Sequence, residues 1–132
     1  MEFFKTALTE KPISDMGFSE VESVNNSFVS AGKTIIIEKP LVTINGWSLD
    51  QNKKQLDSIY LIVNDEPFLK YDQFYPRNDI SENLGIDAEL NSGWSISFLS
   101  GYLEENCQLI TLVGTKDDQK IGFKNEIELC KN

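Results

Sequence analysis

The sequence predicts an all-β sandwich, and three observations carry that reading. Residues Leu41 to Val63 hold the densest β-branched and aromatic content in the chain, bounded by Pro40 and by Asn64-Asp65-Glu66-Pro67. Trp94, Ile96 and Phe98 alternate with Gly93, Ser95 and Ser97, the period of two expected of a half-buried strand. Runs of this kind are separated by turn signals rich in Asn, Asp and Gly, and no stretch has a strong amphipathic helical period.

Taken in order, residues 1–12 read as an acidic, non-periodic linker or trimmed tail, and residues 13–132 as one domain. Ile13, Met16, Phe18, Val21, Val24 and Phe28 are loosely spaced, with Gly17 against a helix, so a short first strand is expected over Phe18 to Val24. Asn25-Asn26-Ser27 then turns the chain. Gly32-Lys33 leads into Thr34-Ile35-Ile36-Ile37, a β-branched run that must be covered on both faces or paired by a neighbour. In the strand from Leu41, Val42 and Ile44 share one face while Trp47 and Leu49 have the opposite parity. A bulge at Asn45-Gly46 is therefore expected to return Trp47 to the core.

After the polar loop from Asp50, the strand ending at Val63 has apolar residues on both faces, the mark of a central strand. Asn64 to Pro67 turns into a short return strand, Phe68 to Tyr71, which Pro67 restricts to an edge. Asp72 to Asn91 is a long connection of the kind that often carries function. Within it, Asp79-Ile80-Ser81-Glu82 has the capping-box pattern and Gly85 can end a helix, so one helical turn is expected over Ile80 to Leu84. Beyond Phe98, Ser100-Gly101 turns the chain. A last hairpin, Gln108 to Val113 and Ile121 to Leu129, closes around Lys116 to Gln119. About seven to eight short strands of this type indicate an immunoglobulin-like antiparallel sandwich.

Cys107 and Cys130 come within reach at the open end of that hairpin. The inward alternation of Ile121, Phe123, Ile127 and Leu129 puts Cys130 on the polar side with Lys124, Glu126 and Glu128. This parity favours two free thiols and leaves the bridge as the alternative.

Composition narrows the chemistry. Hydrophobic content of 40% and charged content of 25% fit a globular domain rather than a disordered one. The balance of 12 basic against 21 acidic residues, a net of −9 with the basic ones scattered, argues against a nucleic-acid partner. No apolar run approaches the length of a membrane-spanning helix, so this segment is not expected to insert. There is no histidine, which removes the commonest general base and the usual zinc ligand, and no phosphate-binding or Cys-x-x-Cys motif occurs. The adjacent acids Asp65-Glu66, Glu104-Glu105 and Asp117-Asp118 fall in expected turns rather than across a cleft, so catalysis, cofactor and metal are not expected.

Two constellations remain. Tyr71, Phe74 and Tyr75, beside Asp72 and Gln73, offer the aromatic faces, acid and amide that a sugar-binding surface uses; the alternative is a cap over the end of the sandwich. Arg77 and Asp79 can fix loop groups or hold a ligand, with Asp79 placed to cap the helical turn.

The ordered set Gly46-Trp47-Ser48-Leu49-Asp50, Tyr60 to Asp65, Arg77-Asn78-Asp79-Ile80 and Gly93-Trp94 resembles a bacterial accessory module. That module's pattern runs Gly-Trp-Ala with a following Asp, a strand ending in Asp-Gly, Arg-Pro-Asp-Val, then Gly-Phe. Asn78 stands where the pattern has Pro, Trp94 where it has Phe, and Asn64-Asp65 where it has Asp-Gly. Such modules are immunoglobulin-like sandwiches attached to glycosyltransferases and multi-spanning membrane proteins of surface-polysaccharide assembly. The resemblance implies a non-catalytic, extracytoplasmic domain of a larger membrane-associated protein, recognising or positioning a carbohydrate or a partner domain. A purely structural spacer or protein-interaction module is the alternative.

Overall fold

The computed structural model describes residues 13–15, 17–29, 34–123 and 126–132. The expectations for residues 1–12, Met16, Gly32, Lys33 and Lys124 lie outside them. The fold is an all-β sandwich of two sheets with one short helix. The strands are β1 (Ile13–Asp15), β2 (Phe18–Val24), β3 (Ser27–Phe28), β4 (Thr34–Ile37), β5 (Leu41–Leu49) and β6 (Ser58–Val63). They continue as β7 (Glu66–Tyr71), β8 (Tyr75–Pro76), β9 (Asn91–Leu99), β10 (Cys107–Lys116), β11 (Gln119–Gly122) and β12 (Ile127–Lys131). Helix α1 spans Asn78–Leu84. The strand count exceeds the sequence expectation because β1, β3 and β8 are only two or three residues long and the returning hairpin strand is split into β11 and β12.

One sheet runs β3-β2-β5-β9-β8. In the other, β10 pairs with β6 on one side, and β6 with the edge strand β7. Along its other side β10 pairs first with β12 and then with β11, so the returning hairpin strand is broken rather than continuous. β11 and β12 extend the sheet through parallel pairs with β1 and β4, so the pairing is mixed rather than wholly antiparallel. β4 alternates exposed and buried residues and is paired by β12; it is not covered on both faces.

Three two-residue turns set the hairpins, and none uses glycine. Asn25-Asn26, Asn64-Asp65 and Asp117-Asp118 all have positive φ at both positions, between 49° and 68°. Asn and Asp tolerate this left-handed geometry, and it matches the strand twist. Pro67 sits at a register irregularity on edge strand β7, where its missing N–H leaves no ladder partner stranded.

The core lies between the sheets. Val21, Val42, Ile44, Trp94 and Ile96 from one sheet bury against Ile59, Leu61, Ile110, Leu112 and Leu129 of the other, with Phe68 edge-on to Phe98 at 5.3 Å between centroids. Strand β5 runs without a bulge against β9, and Trp47 is half-buried on the outer face, contrary to the expected bulge at Asn45-Gly46. The irregularity lies on β2, between Val21 and Ser23, and turns Glu22 outward. The reason is steric. Gly46 pairs with Trp94, and a Cβ at position 46 would lie 2.5 Å from Trp94 Cζ2 and would also strike the Glu20 carbonyl. The indole occupies the inward space, which leaves Trp47 outside.

Cys107 and Cys130 are paired in register with Cα atoms 4.0 Å apart and are joined by a disulfide, not left as free thiols. Parity placed Cys130 correctly on the outer face of its strand. Cys107 shares that face, because Gln108, Ile110 and Leu112 point inward on β10, and the two Cβ vectors converge. The bridge closes a sequence separation of 23 residues. In the loop-entropy account, Cys107→Ser/Cys130→Ser is expected to lose about 3 kcal/mol of unfolding free energy in a urea titration.

Candidate functional site

The Tyr71 to Asp79 segment descends from the end of β7, crosses to the opposite sheet as β8 and enters α1. The connection therefore holds a short strand besides its helical turn: Tyr75 pairs with Gly93 and Pro76 with Asn91. Helix α1 begins two residues earlier than the sequence suggested. Arg77 occupies the N-cap position and Asp79 lies in the first turn, so Asp79 is not the cap. Gly85 ends the helix in the left-handed conformation with φ of 66°, and its N–H donates to the Glu82 carbonyl.

The aromatic residues do not form one open platform. The Tyr71 hydroxyl donates to the Gln73 carbonyl and accepts from the Ser95 N–H at 3.2 Å. Burial pushes the Tyr71 phenol above its ordinary range, opposed by that Ser95 hydrogen bond. Phe74 packs against the core and meets Tyr71 edge-on, with centroids 5.7 Å apart and an interplanar angle of 82°. Tyr75 covers Gly93, where an added Cβ would lie 2.8 Å from its Cδ2. The Gln73 amide donates to Asp72 at 2.9 Å, and both residues are exposed.

Arg77 is a clamp. Its Nη1 and Nη2 donate to the Glu22 carboxylate at 2.7 and 3.1 Å, and its Nε and Nη2 to the Asp79 carboxylate at 2.9 and 2.8 Å. The guanidinium is thus held by two carboxylates in forked geometry, only 19% exposed, across the outer face of the five-stranded sheet. Glu22 is the bulge residue of β2, so the β2 irregularity and the helix start are joined by one side chain. Among the candidate residues the structure brings together Tyr71, Phe74 and Gln73 as one cap, and Arg77 and Asp79 as one ion pair. Glu22 was not foreseen, since its partner lies 55 positions along the chain and no local pattern connects them.

The opposite constellation was also not foreseen. Tyr102, in a one-turn 3-10 helix after β9, is 68% exposed and stands between two open cavities that share Phe68. One, about 500 Å³, is an apolar groove walled by Leu41, Leu69, Phe98 and Leu99, with Ser97 its polar member. The other, about 430 Å³, is lined by Asn64, Glu66, Glu104, Glu105 and Gln108. Gln108 is 2% exposed; its carbonyl accepts from the Glu105 N–H and its amide donates to the Leu129 carbonyl, each at 3.2 Å. A lone aromatic residue on a turn has no period to announce it. The exposed leucines on β5 and β9 were its only sequence signal.

Among the described residues no three acidic or cysteine side chains are grouped to hold a metal ion, and no helix is long and apolar enough to cross a membrane. No protein-family model, curated protein or solved structure matches the chain.

The clamp sets a pH dependence. The Arg77 hydrogen bonds hold the Asp79 carboxyl down at about 2, below its ordinary 3.8. A depressed carboxyl stabilises the fold above its unfolded pKa, and that contribution is lost as pH falls from about 4 toward about 2. Carboxyl-detected NMR is expected to place the Asp79 midpoint near 2 in the parent and back in the ordinary range in Arg77→Ala.

Proposed function

We propose that this chain is a non-catalytic accessory domain of a bacterial surface-glycan protein, acting outside the cytoplasm and recognising or positioning a glycan or a partner domain. The observation that carries the reading is the Tyr102 end of the sandwich. There the Tyr102 ring stands 68% exposed between two open cavities, whereas Tyr71, Phe74, Arg77 and Asp79 are engaged in the internal contacts of the cap and clamp. Exposed aromatic residues beside a cavity are what recognition surfaces use, and apolar surface left open in a group marks an interaction site.

Two further observations support the accessory-domain reading. The residues of the resemblance converge as a folding unit: Gly46 pairs with Trp94, Trp47 with Gly93, Arg77 lies against Gly93, and Asp50 accepts from the Asn52 and Lys54 N–H groups. Structural roles for these residues support reading that pattern as one of fold rather than of catalysis. The disulfide supports the extracytoplasmic assignment, since such bridges form and persist in oxidising compartments.

The test is an amide-resolved NMR titration of the chain with short neutral and uronic-acid oligosaccharides and with short peptides. Saturable shifts from at least one of these probes are expected at residues 66–69 and 97–105, and their loss in a folded Tyr102→Ala variant. Silence from every probe at millimolar concentration overturns the recognition reading, and saturable shifts centred on residues 71–79 overturn its placement at the Tyr102 end.

A further inference from the structure

Resting on the recognition role of the Tyr102 end, we infer that its occupant is a short segment of a partner protein that carries an apolar side chain next to basic ones. The two cavities share Phe68 and Tyr102 as lining residues, so they are neighbours and a ligand several residues long can touch both. The groove beside Leu41, Leu69 and Leu99 offers Ser97 as its polar lining residue. A sugar ring seated there would give up its hydrogen bonds to water with few replacements, whereas an aliphatic or aromatic side chain loses nothing. Leu41 and Leu99 face each other across the β5–β9 pair, each half exposed, and form its outer wall.

The second cavity has the opposite character. The exposed acids Glu104 and Glu105 line it, and neither cavity has a lysine or arginine among its lining residues. This second cavity shares Phe68 and Tyr102 with the apolar groove, so the charge of Glu104 and Glu105 lies next to the apolar site. In a protein of net charge −9 this arrangement repels uronic acids, phosphates and acidic peptides and attracts cations. An apolar anchor in a groove with opposite charges beside it is a standard division of labour in recognition: the anchor supplies affinity, and the charges supply specificity and association rate.

The experiment uses the full chain and the blocked peptide Arg-Leu-Lys-Phe-Arg, read by amide NMR and calorimetry. Two controls are Glu-Leu-Glu-Phe-Glu and Arg-Ser-Lys-Ser-Arg. Saturable shifts confined to residues 41, 66–69 and 97–105 are expected. Affinity should fall about tenfold or more in Leu99→Ser or Tyr102→Ala, fall in Glu104→Gln/Glu105→Gln, and weaken as salt is raised. Equal binding of the acidic control, binding unaffected by all three variants, or shifts elsewhere would overturn the inference. Silence to the basic peptide with saturable oligosaccharide shifts at the same residues overturns it and leaves the recognition-domain reading standing; silence to every probe overturns both.

Discussion

Two Gly-Trp dipeptides govern this sandwich. Gly46-Trp47 on β5 and Gly93-Trp94 on β9 run antiparallel in register, so that each tryptophan pairs with the glycine of the other strand. On the inner face the Trp94 indole fills the space above Gly46 and is fully buried. On the same face of the two strands Ile44, Ser48, Ser92 and Ile96 are also buried. A slip of one residue would turn every side chain of the pair to the wrong face, and a slip of two would drive the indole into Ile44 or Ser48. On the outer face Gly93 leaves room for Tyr75 and for the Arg77 stem. The register of one strand pair thus fixes both the core and the seat of the clamp.

From that seat the architecture of the long connection follows. Tyr75 and Pro76 add a short strand beside β9, and Arg77 reaches over the sheet to Glu22 while holding Asp79 at the start of α1. The polar groups that looked most like ligand chemistry are engaged in closing one face of the sandwich. At the other end Phe68, Phe98 and Gln108 also serve the fold, but Tyr102, Leu41 and Leu99 keep half or more of their surface exposed beside open cavities. That exposed surface carries the functional reading.

Much of this architecture was legible in the sequence because its determinants are local. Asn25-Asn26, Asn64-Asp65 and Asp117-Asp118 announce turns through residues that tolerate positive φ, and the alternation around Trp94, Ile96 and Phe98 fixes their inward face. Gly85 marks the helix end for the same reason. The start of α1 departs from expectation locally, since Arg77 rather than Asp79 takes the N-cap position. The other departures involve a relation between distant residues. Trp47 reads as a core residue from its own strand, which suggests a bulge on β5, but its position is dictated by Trp94 on the neighbouring strand. The face of Cys130 alone favours free thiols, and the bridge follows only from Cys107 sharing that face. No local pattern links Arg77 to the remote Glu22, and the exposure of the Tyr102 ring on its turn depends on what the rest of the fold leaves uncovered.

The account depends most directly on the seating of Trp94 over Gly46. Its test is the unfolding free energy of Gly46→Ala by urea titration, with Gly101→Ala as the control, since a Cβ at position 101 meets nothing within 4 Å. The account predicts a loss of about 3 kcal/mol for Gly46→Ala from overpacking, and a change within about 0.5 kcal/mol for Gly101→Ala. Equal, small effects of the two substitutions would contradict it.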